Sequence, residues 1–292
     1  MVDEHPGVGM SSTGGGHRWA GVTAAIATKH GKERQFGPPL AAWTGMELIV
    51  ADVDTDELGT FTGERPRPGS ALEIGRRKAL WAIEHSGTQL GLGNEGSFGP
   101  HPEAPMLASS LEVAVLVDPR EDLEVVEQII ALETNYQHIE VEEAGATDGF
   151  LDAIGFPAHA VVVSSAGGTG PMFKGLQDAV SVERAVTACL HDSGRALIQT
   201  DMRAHLNPTR QRALTLLAEK LAHRLTVCCP ACAAPGWGIV GVETGLTCEL
   251  CRRPTPLVAA DVDGCARRGC QERRIRPRTE LAPAARCPRC NP

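Results

Sequence analysis

Cysteine dominates the chemistry open to this chain. Nine of its ten cysteines lie after Thr226: Cys228, Cys229, Cys232, Cys248, Cys251, Cys265, Cys270, Cys287 and Cys290. Cys229/Cys232, Cys248/Cys251 and Cys287/Cys290 are C-x-x-C pairs, and Cys265/Cys270 is a looser fourth. Two residues between cysteines let both sulfurs reach one ion at about 2.3 Å, and a tetrahedral Zn²⁺ takes four such ligands. Eight ligands make two structural zinc sites. The spacer Ala233–Thr247, with Pro230 and Gly236 beside the first knuckle, fits a ribbon hairpin. The expected sets are therefore Cys229, Cys232, Cys248 and Cys251, then Cys265, Cys270, Cys287 and Cys290; an interleaved pairing of the same eight stays open. A disulfide framework is the alternative, and it needs an oxidising compartment. Cys228 is left as a spare. Cys189 falls on an apolar helical face as a buried small hydrophobe.

Five polar clusters supply the remaining chemistry. Lys29, His30 and Lys32 follow the first strand with a glycine between them, an arrangement that holds phosphate through ammonium charge and backbone N–H groups. Asp54 and Asp56 lead into residues 60–65 and read individually as an Asx-rich turn. Glu73, Arg76, Arg77 and Lys78 share one helix, where Glu73 and Arg77 at i, i+4 also suit a plain ion pair. Glu95 stands among Gly93, Gly96 and Ser97 at a strand end, where a carboxylate could hold Mg²⁺. Asp201, Arg203, His205 and Arg210 surround a helix N-terminus, which favours anions. Basic groups for phosphate and carboxylates for a hard cation fit phosphoryl or pyrophosphate chemistry with Mg or Mn. No Walker loop, G-x-G-x-x-G or G-x-S-x-G occurs, so P-loop, Rossmann and α/β-hydrolase readings have no support.

The elements that must position these groups alternate between strand and helix. Val22–Thr28 and Met46–Ala51 read as short buried strands. Ser70–Ser86 reads as a helix, with Ser70 as N-cap and Glu73 completing a capping box. Gln89–Gly93 is a short strand and Leu111–Asp118 a longer one, while Glu124–Ala131 forms either a hairpin partner or a helix. Ala158–Ser165 and Arg195–Asp201 are strands flanking a helix over Leu176–His191. Asn207 caps a last helix that opens on Pro208 and carries Ala213, Leu214, Leu217, Leu221 and Leu225 as its stripe. The expected fold is α/β, a layered mixed sheet with flanking helices over residues 21–225, plus a small zinc-ribbon-like module over 226–292.

Composition narrows the class. Apolar residues at 42% suffice for a core and rule out disorder throughout. The longest apolar run, near Ala158–Ser165, falls well short of the roughly 20 residues a membrane span needs, so no membrane partner is expected. Residues 1–20, rich in Gly, Ser and His and lacking an apolar h-region, are expected to be a disordered leader rather than a secretory signal. Localisation is accordingly expected to be cytoplasmic. Net charge is −8, split as −12 over residues 1–225 and +4 over residues 226–292. The Arg-rich tail alone would suggest a nucleic-acid partner. Four thiolates around a dication leave about −2 per site, so those arginines can neutralise the zinc sites, and the tail reads as a zinc module first with nucleic acid as a possible partner.

Two resemblances follow from these residues. ATKHGKE, DTDELGTFTGERPR, RRKA, EGSFGPHP, FPAH, TDMRAHLNPTR and CPACAAPGWG resemble an uncharacterised bacterial domain-of-unknown-function family with C-terminal cysteine knuckles, over nearly all of residues 21–292. It implies no activity. The order of motifs is also similar to that of the inosine/xanthosine triphosphate pyrophosphatases, Mg²⁺ enzymes that remove non-standard purine nucleotides. Their A-T-x-N-x-x-K loop resembles Ala27, Thr28 and Lys32 with one residue fewer and His30 near the Asn. Their E-N-A-x-x-K-A helix resembles Glu73, Gly75, Lys78 and Ala79, and their G-x-E-G-G turn resembles Gly93, Glu95 and Gly96, with Ser97 as the departure. Their S-H-R-x-x-A resembles Thr209, Arg210 and Ala213. That likeness implies Glu73 and Glu95 as metal ligands and Lys32, Lys78 and Arg210 as phosphate and base-pocket groups. The closing histidine is absent unless His205 replaces it.

The sequence thus yields two functional expectations. One is an Mg-dependent nucleotide pyrophosphatase or phosphohydrolase with Glu95, Glu73 and Asp201 as catalytic carboxylates and Lys29, His30, Lys32, Lys78, Arg203 and Arg210 on phosphate. The other is a non-enzymatic zinc-ribbon protein that binds a nucleotide, nucleic acid or protein.

Overall fold

A computed structural model describes residues 18–59, 66–101 and 104–292. Two short parallel strands, β1 (Thr23–Ile26) and β2 (Glu47–Val50), are joined by helix α1 (Glu33–Thr44). Pro38 and Pro39 lie inside α1 and hide it in the sequence, since each removes a backbone donor. The helix persists because Phe36 and Leu40 are fully buried and pack into the main core with helix α5 (Pro208–Thr226).

Beside β1 runs a meander of three long strands: β3 (Leu90–His101), β4 (Ala104–Asp118) and β5 (Leu123–Ala131). The sheet order is β2-β1-β3-β4-β5, parallel at β1 and antiparallel from β3 onward. The short strand expected at Gln89–Gly93 is thus only the start of a twelve-residue one. Glu124–Ala131 resolves as the hairpin partner. Helix α2 (Ala71–Ser86) has the expected capping box: Ser70 Oγ accepts from the Glu73 N–H and the Glu73 carboxylate accepts from the Ser70 N–H. It approaches β3 very closely. A Cβ on Gly91 or Gly93 would lie 1.9 Å from the carbonyl oxygens of Ala79 and Gly75, so only glycine permits the contact.

The second half of the α/β region builds its own sheet. Strands β6 (His138–Val141), β7 (Val161–Ser165), β8 (Met172–Leu176) and β9 (Ala196–Thr200) pair antiparallel in the order β6-β9-β7-β8. Helices α3 (Asp148–Ile154) and α4 (Ala179–Ser193) cover it over a separate core of Phe150, Val161, Val163, Val186, Cys189 and Ile198. The expected α/β architecture, layered sheet with flanking helices, is present, divided between a mixed five-stranded sheet and an antiparallel four-stranded one. Asn207 caps α5 as expected, accepting from the Arg210 N–H at 2.9 Å, and Leu214, Leu217, Leu221 and Leu225 are buried in the main core.

After Thr226 the chain forms three antiparallel strands: β10 (Gly238–Thr244), β11 (Val258–Gly264) and β12 (Arg273–Pro277). This module is joined to the larger sheet. Cys229, Ala234, Cys265 and Ala266 belong to the main core, and the Glu124 N–H donates to the Ala266 carbonyl at 3.0 Å. Of the proposed leader, only Arg18–Ala20 fall among the described residues, and there Trp19 is buried in the core rather than loose. The rest of the leader and residues 60–65 of the second polar cluster lie outside the described residues. Among the described residues no helix is long and apolar enough to cross a membrane.

Candidate functional site

All eight knuckle cysteines assemble, but not in the sequential sets. Cys229, Cys232, Cys265 and Cys270 form one group and Cys248, Cys251, Cys287 and Cys290 the other, each with its sulfurs within 4.8 Å of one another. Strand register explains the interleaving. β10 pairs with β11 so that Gly238 faces Gly264, which returns Cys265 to the knuckle of Cys229 and Cys232. β12 then runs back along β11, with Pro277 facing Ala260, and carries Cys287 and Cys290 to the far end of the hairpin beside Cys248 and Cys251. Closest cross-pairs are 3.5 Å (Cys232–Cys265), 3.7 Å (Cys251–Cys287) and 3.9 Å (Cys229–Cys270 and Cys248–Cys290). Four thiolates held tetrahedrally about 2.3 Å from one ion have edges of roughly 3.8 Å, so both groups can hold a metal ion. A disulfide needs about 2.05 Å, and none is formed. For the thiols by themselves, backbone N–H groups pull Cys232 and Cys287 down to about 7, while burial pushes Cys265, and the hydrogen bond with Cys251 pushes Cys290, up to about 12. Cys228 stays outside both groups, exposed, and Cys189 is buried under α4.

Four of the ten tail arginines pair with carboxylates. Arg267 pairs with Glu121, Arg268 with Glu124 at 3.3 Å, Arg276 with Asp263 at 2.7 Å, and Arg278 with Asp261 at 3.3 Å. Carboxylates, not thiolates, are their counterions. Those pairs also draw down the positive surface that a phosphate backbone would seek.

Most of the remaining polar clusters converge on one cavity of about 350 Å³. The loop after β1 brings Thr28, Lys29, His30 and Lys32; α2 brings Lys78; β3 brings Glu95, Gly96, Ser97 and Phe98; Arg203 follows β9 and Arg210 comes from the first turn of α5. Arg67 and Tyr136, which sequence reasoning had not singled out as site residues, complete the wall. Six cationic side chains therefore face two carboxylates, Asp56 and Glu95.

Each cation is fixed from a defined side. Glu112, fully buried on β4, accepts from Arg210 Nε at 2.7 Å, and Asn94 Nδ2 donates to its other oxygen at 3.3 Å. A Cβ on Gly96 would strike this ion pair at 2.6–2.7 Å, so that glycine leaves room for the pair rather than for a ligand. Asp201, also fully buried, holds Arg203 through both oxygens at 2.6–3.1 Å. Neither Glu112 nor Asp201 lines the cavity. Glu95 accepts from Lys78 at 2.6 Å and lies 3.6 Å from Arg67. Burial works to raise the Glu95 pKa, but Lys78 and Lys32 beside it outweigh that and hold it below the ordinary carboxylate value. Lys29 is bound by Asp56 at 2.7 Å and Asp54 at 2.9 Å, which raise its pKa. Burial lowers His30 to about 4, with Lys32 adding to the effect, and the ring stacks on His205 at 5.2 Å. Phe98 lies under the Arg210 guanidinium at 5.0 Å and beside Tyr136 at 5.9 Å.

Two carboxylates expected to be catalytic stand elsewhere. Glu73 is exposed, its carboxylate accepts from Ser70 N and Oγ at 2.7 and 2.8 Å, and it does not line the cavity. Asp201 lies behind Arg203 as its counterion. The donor set for Mg²⁺ implied by the pyrophosphatase likeness is therefore not assembled: Glu95 faces the cavity without Glu73 and is already engaged by Lys78.

A family match covers residues 78–292 and is described as a domain of unknown function, DUF6671. The chain belongs to the DUF6671 family. Its matched region holds both cysteine groups, Glu95, Arg203 and Arg210, whereas the 27–32 loop that completes the cavity precedes it. No curated protein and no solved structure matches the chain.

Proposed function

We propose that the cavity binds the phosphate groups of a small molecule of the nucleotide class, and that the two cysteine groups hold zinc as a structural brace. One observation carries the first part: six cations from five stretches of chain line one cavity, and the carboxylates that fix Arg203 and Arg210 lie behind them, outside it. A phosphate entering there meets charge whose side-chain ordering is already complete, which is what makes charge-assisted contacts strong. Phe98 and Tyr136 supply an aromatic wall suited to a base.

Binding is favoured over metal-assisted hydrolysis, because the second carboxylate a shared hard cation would need is spent on the α2 cap. For zinc, the argument is the four-sulfur donor set and its near-tetrahedral edges.

The test is calorimetric titration of the zinc-loaded chain with inorganic phosphate, pyrophosphate and a purine nucleoside triphosphate. Arg67→Gln, at a part-exposed position, should weaken pyrophosphate binding about tenfold, the loss typical of one charge-assisted contact. Absence of heat with all three ligands would refute the reading. Phosphate release with Mg²⁺ that disappears in Glu95→Gln would overturn the preference for binding over hydrolysis.

A further inference from the structure

We propose that Lys32 is a nucleophile that condenses with the carbonyl group of a phosphate-bearing aldehyde or ketone, a ligand class that rests on the phosphate reading of this cavity. Three lysines line the cavity, and two have carboxylate partners: Lys29 with Asp54 and Asp56, Lys78 with Glu95. Lys32 differs. Its side chain is 7% exposed, and among the described residues its Nζ hydrogen-bonds only the Asn94 carbonyl, at a long 3.3 Å. Its charged surroundings are Arg210 and Lys78, with Glu95 and Glu112 exerting smaller opposing effects.

A lysine in that position has every reason to shed its proton. Burial first, then the positive charges of Arg210 and Lys78, bring it down to about 7 from an ordinary value of 10.5. Both effects favour the free amine, the form that attacks carbonyl carbon. A phosphate anchored by Arg67, Arg203 and Arg210 would hold the carbonyl end of a short ligand inside the same 350 Å³ cavity that Lys32 lines.

The step balances without a redox partner. The Nζ lone pair forms a C–N bond as the C=O π pair moves to oxygen, and a proton passes from nitrogen to that oxygen to give the carbinolamine. Protonation of the hydroxyl releases water while nitrogen's lone pair forms C=N, so amine, carbonyl and one proton become iminium and water.

The experiment uses the full zinc-loaded chain, which has only five lysines: Lys29, Lys32, Lys78, Lys174 and Lys220. It is incubated with glycolaldehyde phosphate or with unphosphorylated glycolaldehyde, reduced with cyanoborohydride, and mapped by peptide mass. We expect one adduct, on Lys32, formed at least tenfold faster with the phosphorylated probe, suppressed by pyrophosphate, and rising with pH through about 7. Lys32→Arg, which keeps a cation but no condensing amine, should lose that adduct. Adducts spread over the other lysines, or equal rates with both probes, would overturn the proposal. If pyrophosphate binds by calorimetry and Lys32 stays unlabelled, the imine falls alone; if pyrophosphate does not bind, the phosphate reading falls with it.

Discussion

Glu112→Gln tests the framework behind the cavity. Glu112 is fully buried in the middle of β4, and its partner Arg210 exposes only 7% of its side chain. Removing the negative charge leaves a guanidinium that still accepts help from the Met202 carbonyl but has lost its counterion. Breaking one side of a buried ion pair costs about 3–5 kcal/mol, whereas replacing both sides by well-packed neutral groups is often nearly neutral. Glutamine keeps the shape and one acceptor, so we take the lower end, about 3 kcal/mol. For a chain of this size that corresponds to a fall in Tm of roughly 6–12 °C. The assay is urea unfolding of zinc-loaded protein for the wild type, Glu112→Gln, Arg210→Met and the double variant. The two single variants should cost much more than the double, with a coupling energy of 2 kcal/mol or more in the cycle. Pyrophosphate binding should be weak wherever Arg210 is missing and partly retained in Glu112→Gln. A Glu112→Gln cost below about 1 kcal/mol, or additive single variants, would refute the claim that this pair is a buried, mutually dependent unit.

Two further outcomes test the scaffold. Gly93→Ala places a Cβ 1.9 Å from the Gly75 carbonyl oxygen, backbone against backbone, so it should prevent soluble expression or cost more than the 1–3 kcal/mol usual for overpacking, while Gly99→Ala, with nothing within 4 Å, should be silent by thermal denaturation. Elemental analysis should find two zinc ions per chain; Cys265→Ser should lower the main unfolding transition, because Cys265 lies in the principal core, whereas Cys287→Ser should release one zinc and leave that transition in place.

What could be read in the sequence was what short-range chemistry determines. The α2 capping box, the Asn207–Pro208 start of α5 and the strand over Leu111–Asp118 each depend on residues a few positions apart, and each formed, the last as part of the longer β4. α1 was invisible because Pro38 and Pro39 break its local signal, and only burial of Phe36 and Leu40 restores it. β3 was cut short at Gly93 because Gly96, Gly99 and Pro100 beyond it look like a loop. Gly91, Gly93 and Gly96 are in fact the small residues that let α2 and the Arg210–Glu112 pair approach the strand. The same misreading made the glycines around Glu95 look like room for a ligand. A clue to Glu112 was present, a lone acid inside Leu111–Val117, where a buried charge demands a partner.

The cysteine pairing shows where spacing alone stops. Each C-x-x-C knuckle is a local fact, but which knuckles share an ion depends on strand register. In a two-stranded ribbon the sequential pairing would hold. Here a third strand, β12, reverses the chain once more, so one metal group takes the first and third knuckles and the other the second and fourth. That arrangement ties the tail to the α/β region in a way sequential pairing would not. Closing the first group requires Cys265 and Cys270, and the segment they bracket is the one docked on β5: Arg267 pairs with Glu121, and the Arg268 N–H donates to the Asp122 carbonyl. Glu124 next to them accepts from Arg76 of α2 at 2.5 and 2.6 Å, and α2 carries Lys78 into the cavity wall. The first cysteine group is thus linked to the helix that carries Lys78 through two ion pairs, Arg268–Glu124 and Arg76–Glu124, rather than through direct contact.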